Sequence, residues 1–347
     1  MATEKDIRSV PVIDIGALVA CQSDADVQAQ ADAGVLRQTI EELRAAATEW
    51  GFFYIANHGV TPEEIAKFRA DMRSFFELAK DVKKTIKRSE YNSRGYFDDE
   101  LTKNKTDWKE GLDFGGRLED GPADENVHKR MGQDQNQWLS EDVLPGFHEA
   151  MMVYFERMEH ISRRLIMLFA LALGKKATFL DQFYRTEKQA HSNSSFLRLN
   201  YYPVAPDPEN SMGVHHHTDA GGLTVLLQDD DVASLQVWHR EAQQWYLIPP
   251  RKDTYVINIG DMLQIWSNDR FIAPLHRVLA NGSHERFSAP FFYNPSYEAL
   301  IQPVIADNEH EEKPKYKPLS WYDFRLKRFQ GDYADHGEEV QISHYRM

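Results

Sequence analysis

The chain has 347 residues, and its 42% hydrophobic and 12% aromatic content supplies enough apolar material for a sizeable core, which excludes disorder of the whole chain. The formal net charge of −14 argues against a nucleic-acid partner and against an anionic membrane surface, because both are bound largely through Lys and Arg. The longest strongly apolar run extends only from Leu165 to Leu173, whereas a membrane-spanning helix needs about 20 residues.

The N-terminus and the cysteine content predict a cytoplasmic location. The first ten residues contain neither an apolar signal region nor an Arg-rich transit pattern. The only cysteine, Cys21, cannot form an internal disulfide, which fits a reducing compartment. The polar stretch that follows Cys21 is typical of a loop, so we expect no catalytic role for this thiol.

The N-terminal part alternates between short strands and longer helices. Pro11 to Ile15 and Gly51 to Ala56 are β-branched or aromatic runs of strand length. Apolar residues spaced by four and three predict an amphipathic helix between them. These residues are Leu36, Ile40, Leu43, Ala47 and Trp50.

Two further helices are predicted before the middle of the chain. One begins at Thr61, where Pro62 suits the first helical position and Glu64 completes a capping box with the threonine. The other extends from Phe147 to a stop at Gly174 and is apolar on most of its faces toward its end, which indicates a helix buried against a sheet.

From about residue 196 the pattern changes to short β-rich segments bounded by Gly, Pro, Asp or Asn. A run of this kind predicts antiparallel strands that form a sandwich or barrel. The predicted strands include FLRLNYYPV, LTVLLQD, LQVWH, WYLIPP, TYVINIG, MLQIWS, HRVLAN and RFSAPFFYN.

Five polar residues in this β-rich half form a candidate site. On a strand, residues i and i+2 share a face, so His217 and Asp219 project together, as do Arg286 and Ser288. His276 lies ten residues before Arg286, in the preceding strand of a predicted hairpin, from which it can reach the same interior space. Two imidazoles and one carboxylate are therefore expected to converge.

Two histidines and one carboxylate are the ligands of a facial triad, which binds non-haem Fe(II) on one side and leaves positions open for reaction. An alternative is a zinc hydrolase barrel that begins with His215 and His217. Only about 130 residues follow this pair, too few for the remaining βα units of such a barrel. We therefore favour His217 over His215 as the ligand.

The chain resembles the 2-oxoglutarate- and Fe(II)-dependent dioxygenases of the isopenicillin N synthase-like family over nearly its whole length. The resemblance is specific because many motifs occur in the same order. In the β-rich half they are NYYPVAPDPE, HTDAGGLTVLLQD, NIGDMLQIWSND and HRVLANGSHERFS, and in the N-terminal part PVIDIGAL, TEWGFFYIANHGV, GYF, DWKEGLDFG and LPGF.

The resemblance implies a mainly β fold with flanking helices and a double-stranded β-helix, or jelly-roll, core. It divides the chain into an N-terminal helical and strand region over 1–190, the jelly-roll core over 191–305 and a C-terminal helix and tail over 306–347. These three segments are expected to form one catalytic unit.

The resemblance also assigns roles to individual residues. The implied iron ligands are His217, Asp219 and His276. The pair implied to hold the distal carboxylate of 2-oxoglutarate is Arg286 and Ser288, and the positions that line the same pocket are Asn200 and Tyr202.

The implied cofactors are Fe(II), 2-oxoglutarate as cosubstrate and O2, with ascorbate as an optional reductant. The implied reaction is oxidation of a small molecule of specialised metabolism, by hydroxylation, desaturation or oxidative ring closure, with release of succinate and CO2. One alternative is an Fe(II) oxidase of the same family that does not use 2-oxoglutarate. Another is a non-catalytic metal- or ligand-binding barrel. The sequence leaves the substrate and the oligomeric state open.

Five further residues occupy regions that line substrate pockets in members of the family. They are Arg94, Tyr96, Phe97, Phe292 and Asn294. The aromatic side chains are equally compatible with core packing. Arg94 lies in a polar stretch, where a solvated surface position is the alternative to binding a substrate carboxylate.

Overall fold

A computed structural model of the chain describes eight stretches of it. They are residues 9–89, 91–102, 105–119, 134–185, 193–229, 231–304, 313–333 and 340–347.

The N-terminal half combines helices with short strands. Its helices are α1 (Gly16–Val19), α2 (Asp24–Asp32), α3 (Arg37–Glu49), α4 (Pro62–Phe76), α5 (Lys80–Lys84) and α6 (Phe147–Ala172), with 3-10 helices over Arg117–Glu119 and Phe179–Phe183. Its strands are β1 (Val12–Asp14), β2 (Phe52–Ala56), β3 (Gly95–Phe97), β4 (Leu101–Thr102), β5 (Lys105–Thr106) and β6 (Glu110–Gly115).

The second half is mostly β. Its strands are β7 (Phe196–Tyr202), β8 (Met212–His217), β9 (Leu223–Gln228), β10 (Leu235–His239), β11 (Gln244–Leu247), β12 (Tyr255–Ile259), β13 (His276–Leu279), β14 (Arg286–Tyr293), β15 (Leu300–Ile301) and β16 (Leu319–Ser320). Its helices are α7 (Asp261–Trp266) and α8 (Trp321–Tyr333), followed by a 3-10 helix over Ile342–Tyr345.

The local signals for two long helices are confirmed. At the start of α4 the Thr61 hydroxyl accepts a hydrogen bond from the Glu64 amide (3.2 Å), and the Glu64 carboxylate accepts one from the Thr61 amide (2.7 Å). Helix α6 covers the predicted periodic stretch from Phe147 to Ala172 and packs against α3 and the strands β9 and β14. It is the predicted helix buried against a sheet.

Two sheets form the core. One has eight strands in the order β1-β2-β12-β9-β14-β7-β6-β3, and the other has four in the order β11-β10-β13-β8. A cavity lies between them and is lined by residues of both sheets. This arrangement agrees with the predicted mainly β fold and its jelly-roll core. The N-terminal strands β1, β2, β3 and β6 extend the larger sheet at its two ends.

The predicted hairpin between His276 and Arg286 is wrong. Strand β13, which begins at His276, pairs with β8 and β10 in the smaller sheet, whereas β14, which begins at Arg286, pairs with β7 and β9 in the larger one. The two residues therefore reach the cavity from opposite walls. Spacing along the chain cannot distinguish a hairpin from a connection between sheets, because both need only a short loop.

Two other local predictions are also wrong. The segment MLQIWS forms helix α7, not a strand, and its apolar side chains, including Met262 and Trp266, are fully buried. A short run without alternation does not separate a buried strand from a buried helix. The polar stretch after Cys21 forms helix α2, with Ser23 as its N-cap, and the thiol is buried.

Two other expectations concern the boundaries of the three predicted segments and the presence of a membrane-spanning helix. The predicted segment boundaries at residues 190 and 305 fall in 186–192 and 305–312, which lie outside the described residues. In the described stretches, no helix combines the length and the apolar character that crossing a bilayer requires.

Candidate metal and 2-oxoglutarate site

Three predicted metal ligands meet at one end of the smaller sheet. His217 ends β8 and is the register partner of His276, which begins β13. Asp219 follows β8 by two residues, and its Oδ1 lies 3.4 Å from His217 Nε2 and 3.5 Å from His276 Nε2. One ligand atom from each residue falls within 4.8 Å of the others. Ligands at right angles around an ion, each about 2.1 Å from it, would lie roughly 3 Å apart, so the spacing suits a metal ion.

Hydrogen bonds orient both imidazoles. His217 Nδ1 lies 2.8 Å from the carbonyl oxygen of His215, and His276 Nδ1 lies 3.2 Å from that of Pro274. A carbonyl only accepts, so each Nδ1 carries the proton and donates it there. The lone pair of each Nε2 is thereby left for a metal, which is how ligating histidines are usually held.

The Asp219 carboxylate is held through its other oxygen. Oδ2 accepts hydrogen bonds from the Thr224 hydroxyl and from Asn258 Nδ2, the latter at 2.7 Å. Oδ1 faces the two imidazoles. Thr224 and Asn258 are not among the predicted site residues, although each is a polar residue inside an otherwise apolar strand, in LTVLL and YVINI. That interruption is a signal that could have identified them.

The electrostatics keep the carboxylate ionised. Burial alone would raise the pKa of Asp219, but the charge and hydrogen bonds of His276 and His217 hold it well below its usual value. Burial lowers the pKa of His217, and the neighbouring His276 lowers it further. At His276 burial also acts to lower the pKa, but Asp219 outweighs it and raises the pKa above its usual value.

The alternative ligand His215 points elsewhere. Its main-chain amide and its Nδ1 lie 3.1 and 3.0 Å from Oδ1 of Asp107, whose side chain is fully buried. The cavity lining contains His217 but not His215. His215 thus contributes its carbonyl, which accepts from His217, and Asp107 fixes the backbone that presents this carbonyl.

The opposite wall carries the predicted carboxylate-binding pair. Arg286 is 2% exposed, and its Nε and Nη1 have no hydrogen-bond partner among the described residues. Its Nη2 reaches only to 3.5 Å from Gln228 Oε1, and its guanidinium carbon lies 5.0 Å from the centre of the Tyr202 ring. Buried guanidinium groups without partners are costly, so this one is positioned for an anion that enters the cavity.

Two neighbouring side chains complete this polar wall. Asn200 is the register partner of Ser288, and its Nδ2 lies 3.4 Å from the Ser288 hydroxyl. Asn200 Oδ1, like the two Arg286 nitrogens, is buried without a partner in the described part of the chain. The seven predicted metal- and cosubstrate-binding residues all line the one cavity. They are Asn200, Tyr202, His217, Asp219, His276, Arg286 and Ser288.

The five predicted substrate residues divide into two groups. Phe292 and Asn294 line the cavity. Arg94, Tyr96 and Phe97 do not belong to its lining.

These three residues have partners in the interior. Arg94 is 2% exposed and forms a two-point ion pair with Glu119, so it is not a solvated surface group. The Tyr96 hydroxyl donates to Glu110 (2.8 Å), and Phe97 is fully buried against the guanidinium of Arg88.

Family models match both halves of the chain. Residues 193–295 match the model of the 2OG-Fe(II) oxygenase superfamily. Residues 10–141 match the model described as the N-terminal region of non-haem dioxygenases in morphine synthesis. The first match contains all seven residues that are predicted to bind the metal and 2-oxoglutarate.

Similar proteins cover the chain nearly end to end. Jasmonate-induced oxygenase 2 from Arabidopsis thaliana is 32% identical over 96% of this chain and 83% of its own length. Homoarginine-6-hydroxylase 2-ODD-233 from Oryza sativa subsp. japonica is 33% identical over 86% of this chain and 89% of its own. The crystal structure of JOX2 in complex with 2OG, Fe and JA has a TM-score of 0.72 and 29% identity, covering 91% of this chain and 84% of that one.

The fold, the site and these similarities define a non-haem iron oxygenase. The chain belongs to the 2OG-Fe(II) oxygenase superfamily. It is an Fe(II)- and 2-oxoglutarate-dependent oxidoreductase that uses O2 to oxidise a small-molecule substrate, with jelly-roll architecture. The oxidase that does not use 2-oxoglutarate and the non-catalytic barrel are both less favoured by these findings.

Proposed function

We propose that His217, Asp219 and His276 bind the catalytic Fe(II), and that Arg286 and Ser288 bind the distal carboxylate of 2-oxoglutarate. The observation that supports this proposal is that the two polar atoms of each proposed ligand side chain have different surroundings. One polar atom is fixed by a protein hydrogen bond, and the other faces the cavity. A donor set of two imidazoles and one carboxylate that leaves positions open suits Fe(II).

When bound, iron and 2-oxoglutarate supply the oxidising power with O2, and 2-oxoglutarate is converted to succinate and CO2. The residues of the chain bind the metal and 2-oxoglutarate and orient them. Arg286 presents a planar fork of donors that matches a carboxylate, which Lys cannot reproduce. Asn200 and Tyr202 line the cosubstrate part of the cavity, and the Tyr202 ring covers one face of the guanidinium.

The proposed substrate is a small molecule of specialised metabolism that enters the outer part of the same cavity. The similar proteins named above support this class, since one is a homoarginine hydroxylase and another was crystallised with JA. Phe292 and Asn294 are proposed to contact the substrate because they line the cavity. Arg94, Tyr96 and Phe97 are proposed to support the cavity wall from behind.

The proposal also covers the organisation and location of the chain. We assign catalysis to the core segment 191–305, with 1–190 packed on it and 306–347 closing it, as one unit. A cytoplasmic location remains part of the proposal, and it is supported by the single cysteine, Cys21, because low cysteine usage fits a reducing compartment.

An anaerobic titration tests the cofactor assignment. The purified apoprotein receives Fe(II) and then 2-oxoglutarate, and the visible charge-transfer band of a chelated keto acid is recorded. We expect the band in the unaltered protein and its loss in His276→Ala and, at the same 2-oxoglutarate concentration, its weakening in Arg286→Ala. Iron binding with no band would contradict the cosubstrate assignment.

A further inference from the structure

The cavity is cationic although the chain is acidic. Against the net charge of −14 for the whole chain, the charged side chains in the cavity lining are mostly basic. The basic ones are Lys109, Arg198, Arg286, Arg325 and Arg328, and the acidic ones are Glu100 and Asp219. A cavity of one sign concentrates ligands of the opposite sign.

Two of these cations are neutralised by buried carboxylates. Arg198 forms a two-point pair with Asp113 (2.7 and 2.8 Å) and also reaches Glu100 (2.9 Å). Lys109 lies between Glu100 (2.5 Å) and Asp107 (3.3 Å). These paired groups do not account for the excess of positive charge.

The proposed cofactors do not account for it either. Fe(II) bound by Asp219 leaves one positive charge, and 2-oxoglutarate on Arg286 leaves one negative charge, so the loaded centre is neutral. The remaining cations in the lining, Arg325 and Arg328, both belong to helix α8. The positive charge that remains in the described lining therefore favours the binding of an additional anion.

Arg328 fixes helix α8 to the metal site. Its guanidinium donates to the carbonyl oxygen of Thr218 (2.7 Å), between two proposed metal ligands, and to that of Val340 (3.1 Å). These main-chain acceptors hold the helix in place. Arg325, one turn earlier, is thereby presented to the cavity from a fixed backbone.

Arg325 has the features of a ligand-binding cation. It lines the cavity, is partly buried, and has no hydrogen-bond or ion-pair partner among the residues that the structure describes. Its guanidinium carbon lies 5.6 Å from the centre of the Phe196 ring and 5.7 Å from that of Phe329. Aromatic rings orient a guanidinium and leave its planar edge of donors available.

An apolar surface lies beside this cation. The rings of Phe196 and Phe292 are stacked with centres 4.6 Å apart, and both line the cavity together with Pro290 and Trp321. Apolar walls with one placed charge are typical of sites for small amphipathic ligands.

We propose that the substrate is a small organic carboxylate, whose carboxylate pairs with Arg325 and whose apolar skeleton lies against Phe196 and Phe292. This inference rests on the proposed function, because it places the substrate in the outer part of the cavity that holds the iron and 2-oxoglutarate. Arg325 is then a specificity-determining residue that selects acids over their neutral derivatives.

Matched pairs of ligands test the inference. The probes are 3-phenylpropanoate and cyclohexylacetate, each compared with its methyl ester, which keeps the skeleton and removes the charge. Dissociation constants are measured anaerobically by calorimetry on protein loaded with Fe(II) and 2-oxoglutarate. The variants are Arg325→Gln, Arg325→Lys and, as a matched control, Lys327→Gln, which removes an exposed charge from the same helix.

We expect each acid to bind at least about tenfold more tightly than its ester, a difference of ~1.4 kcal/mol. Arg325→Gln should abolish this preference without changing the affinity for the esters. Arg325→Lys should keep part of the preference, and Lys327→Gln should keep all of it.

Three results would overturn the inference. They are equal affinity for acid and ester, an unchanged preference in Arg325→Gln, and the absence of binding by both acids. In each case a normal charge-transfer band with 2-oxoglutarate would leave the proposed function intact. Loss of that band in the unaltered protein would instead contradict the proposed function itself.

Discussion

The two walls of the cavity differ in whether their polar side-chain atoms have partners within the protein. The metal wall carries His217, Asp219 and His276, and the carboxylate-binding wall carries Asn200, Arg286 and Ser288. On the metal wall, protein groups form hydrogen bonds with the outer polar atom of each of the three proposed ligands, so that the other polar atom of each is left for a metal. On the other wall, Arg286 and Asn200 keep buried polar atoms without partners among the described residues. The polar atoms of the first wall are satisfied by the protein itself, whereas on the second wall the Arg286 donors remain available to an anion and Asn200 Oδ1 remains available to a donor.

The largest expected effect is loss of the metal. Asp219→Ala and His276→Ala should fold but lose Fe(II) affinity by at least about 100-fold, since each removes one of three ligands. Metal content after dialysis and calorimetric titration measure this. His284→Ala, at an exposed histidine, is the control. Stoichiometric Fe(II) binding in either ligand variant would contradict the assignment of the triad.

A smaller effect is expected from the groups that hold Asp219. Thr224→Val keeps the side-chain shape but removes the hydroxyl that donates to Oδ2, and should weaken Fe(II) binding by about 10- to 100-fold. Thr254→Val removes a hydroxyl that donates to a main-chain carbonyl away from the cavity and should leave Fe(II) affinity unchanged. Equal Fe(II) affinity in both variants would show that the metal wall does not depend on this preorganisation.

Substitutions in the carboxylate-binding wall should change the affinity for 2-oxoglutarate and not the affinity for Fe(II). Arg286→Ala should weaken 2-oxoglutarate binding by at least about tenfold and leave Fe(II) affinity unchanged, because hydrogen bonds to a charged group each contribute about 1.5–3 kcal/mol. Arg286→Lys should recover only part of the affinity. The control is Arg240→Ala, at an exposed arginine. A parallel loss of Fe(II) affinity in Arg286→Ala would mean that the two walls are not independent.

The smallest effect is expected outside both walls, at Asp269. Burial acts to raise the pKa of this carboxyl, but hydrogen bonds from Tyr316, Gln264 and Arg346 outweigh it and lower the pKa. A lowered pKa stabilises the fold above the unfolded-state value of about 3.9, and the contribution is lost as the pH falls through the folded-state pKa.

Asp269→Asn should therefore reduce the free energy of unfolding by about 0.5–1 kcal/mol at pH 7, and the difference should narrow between pH 5 and pH 3. Urea unfolding at several pH values measures it. Affinities for Fe(II) and 2-oxoglutarate should not change in this variant. A difference that stays constant with pH would show that the carboxylate charge is not what stabilises this contact.

Much of the site could be predicted from the sequence because its residues lie in short local patterns. Arg286 and Ser288 lie two residues apart on β14 and both line the cavity, as strand geometry predicts. His217 and Asp219 also line the cavity two residues apart, although Asp219 follows the end of β8. The same holds for helix α4, whose capping box uses only residues three apart. Short spacings within a regular element leave few conformations, so local sequence is sufficient.

Other features depended on contacts between distant parts of the chain. Arg94 forms an ion pair with Glu119 and is not solvated. Helix α7 forms where the local pattern indicated a strand, because the surrounding elements bury it on all sides. The opposite placement of β13 and β14 likewise follows from which strands they pair with, not from the loop between them.

The sequence alone therefore determined which residue types the site contains, since the proposed metal ligands and the proposed carboxylate-binding arginine occur in recognisable short motifs. Only the tertiary structure decided which charges remain without partners. Arg198 and Arg325 are both arginines near aromatic residues, but one is neutralised by Asp113 and Glu100, and the other faces the cavity from a C-terminal helix. The free energy of a charge depends on its partners and its burial, and these are set by residues far apart in the chain.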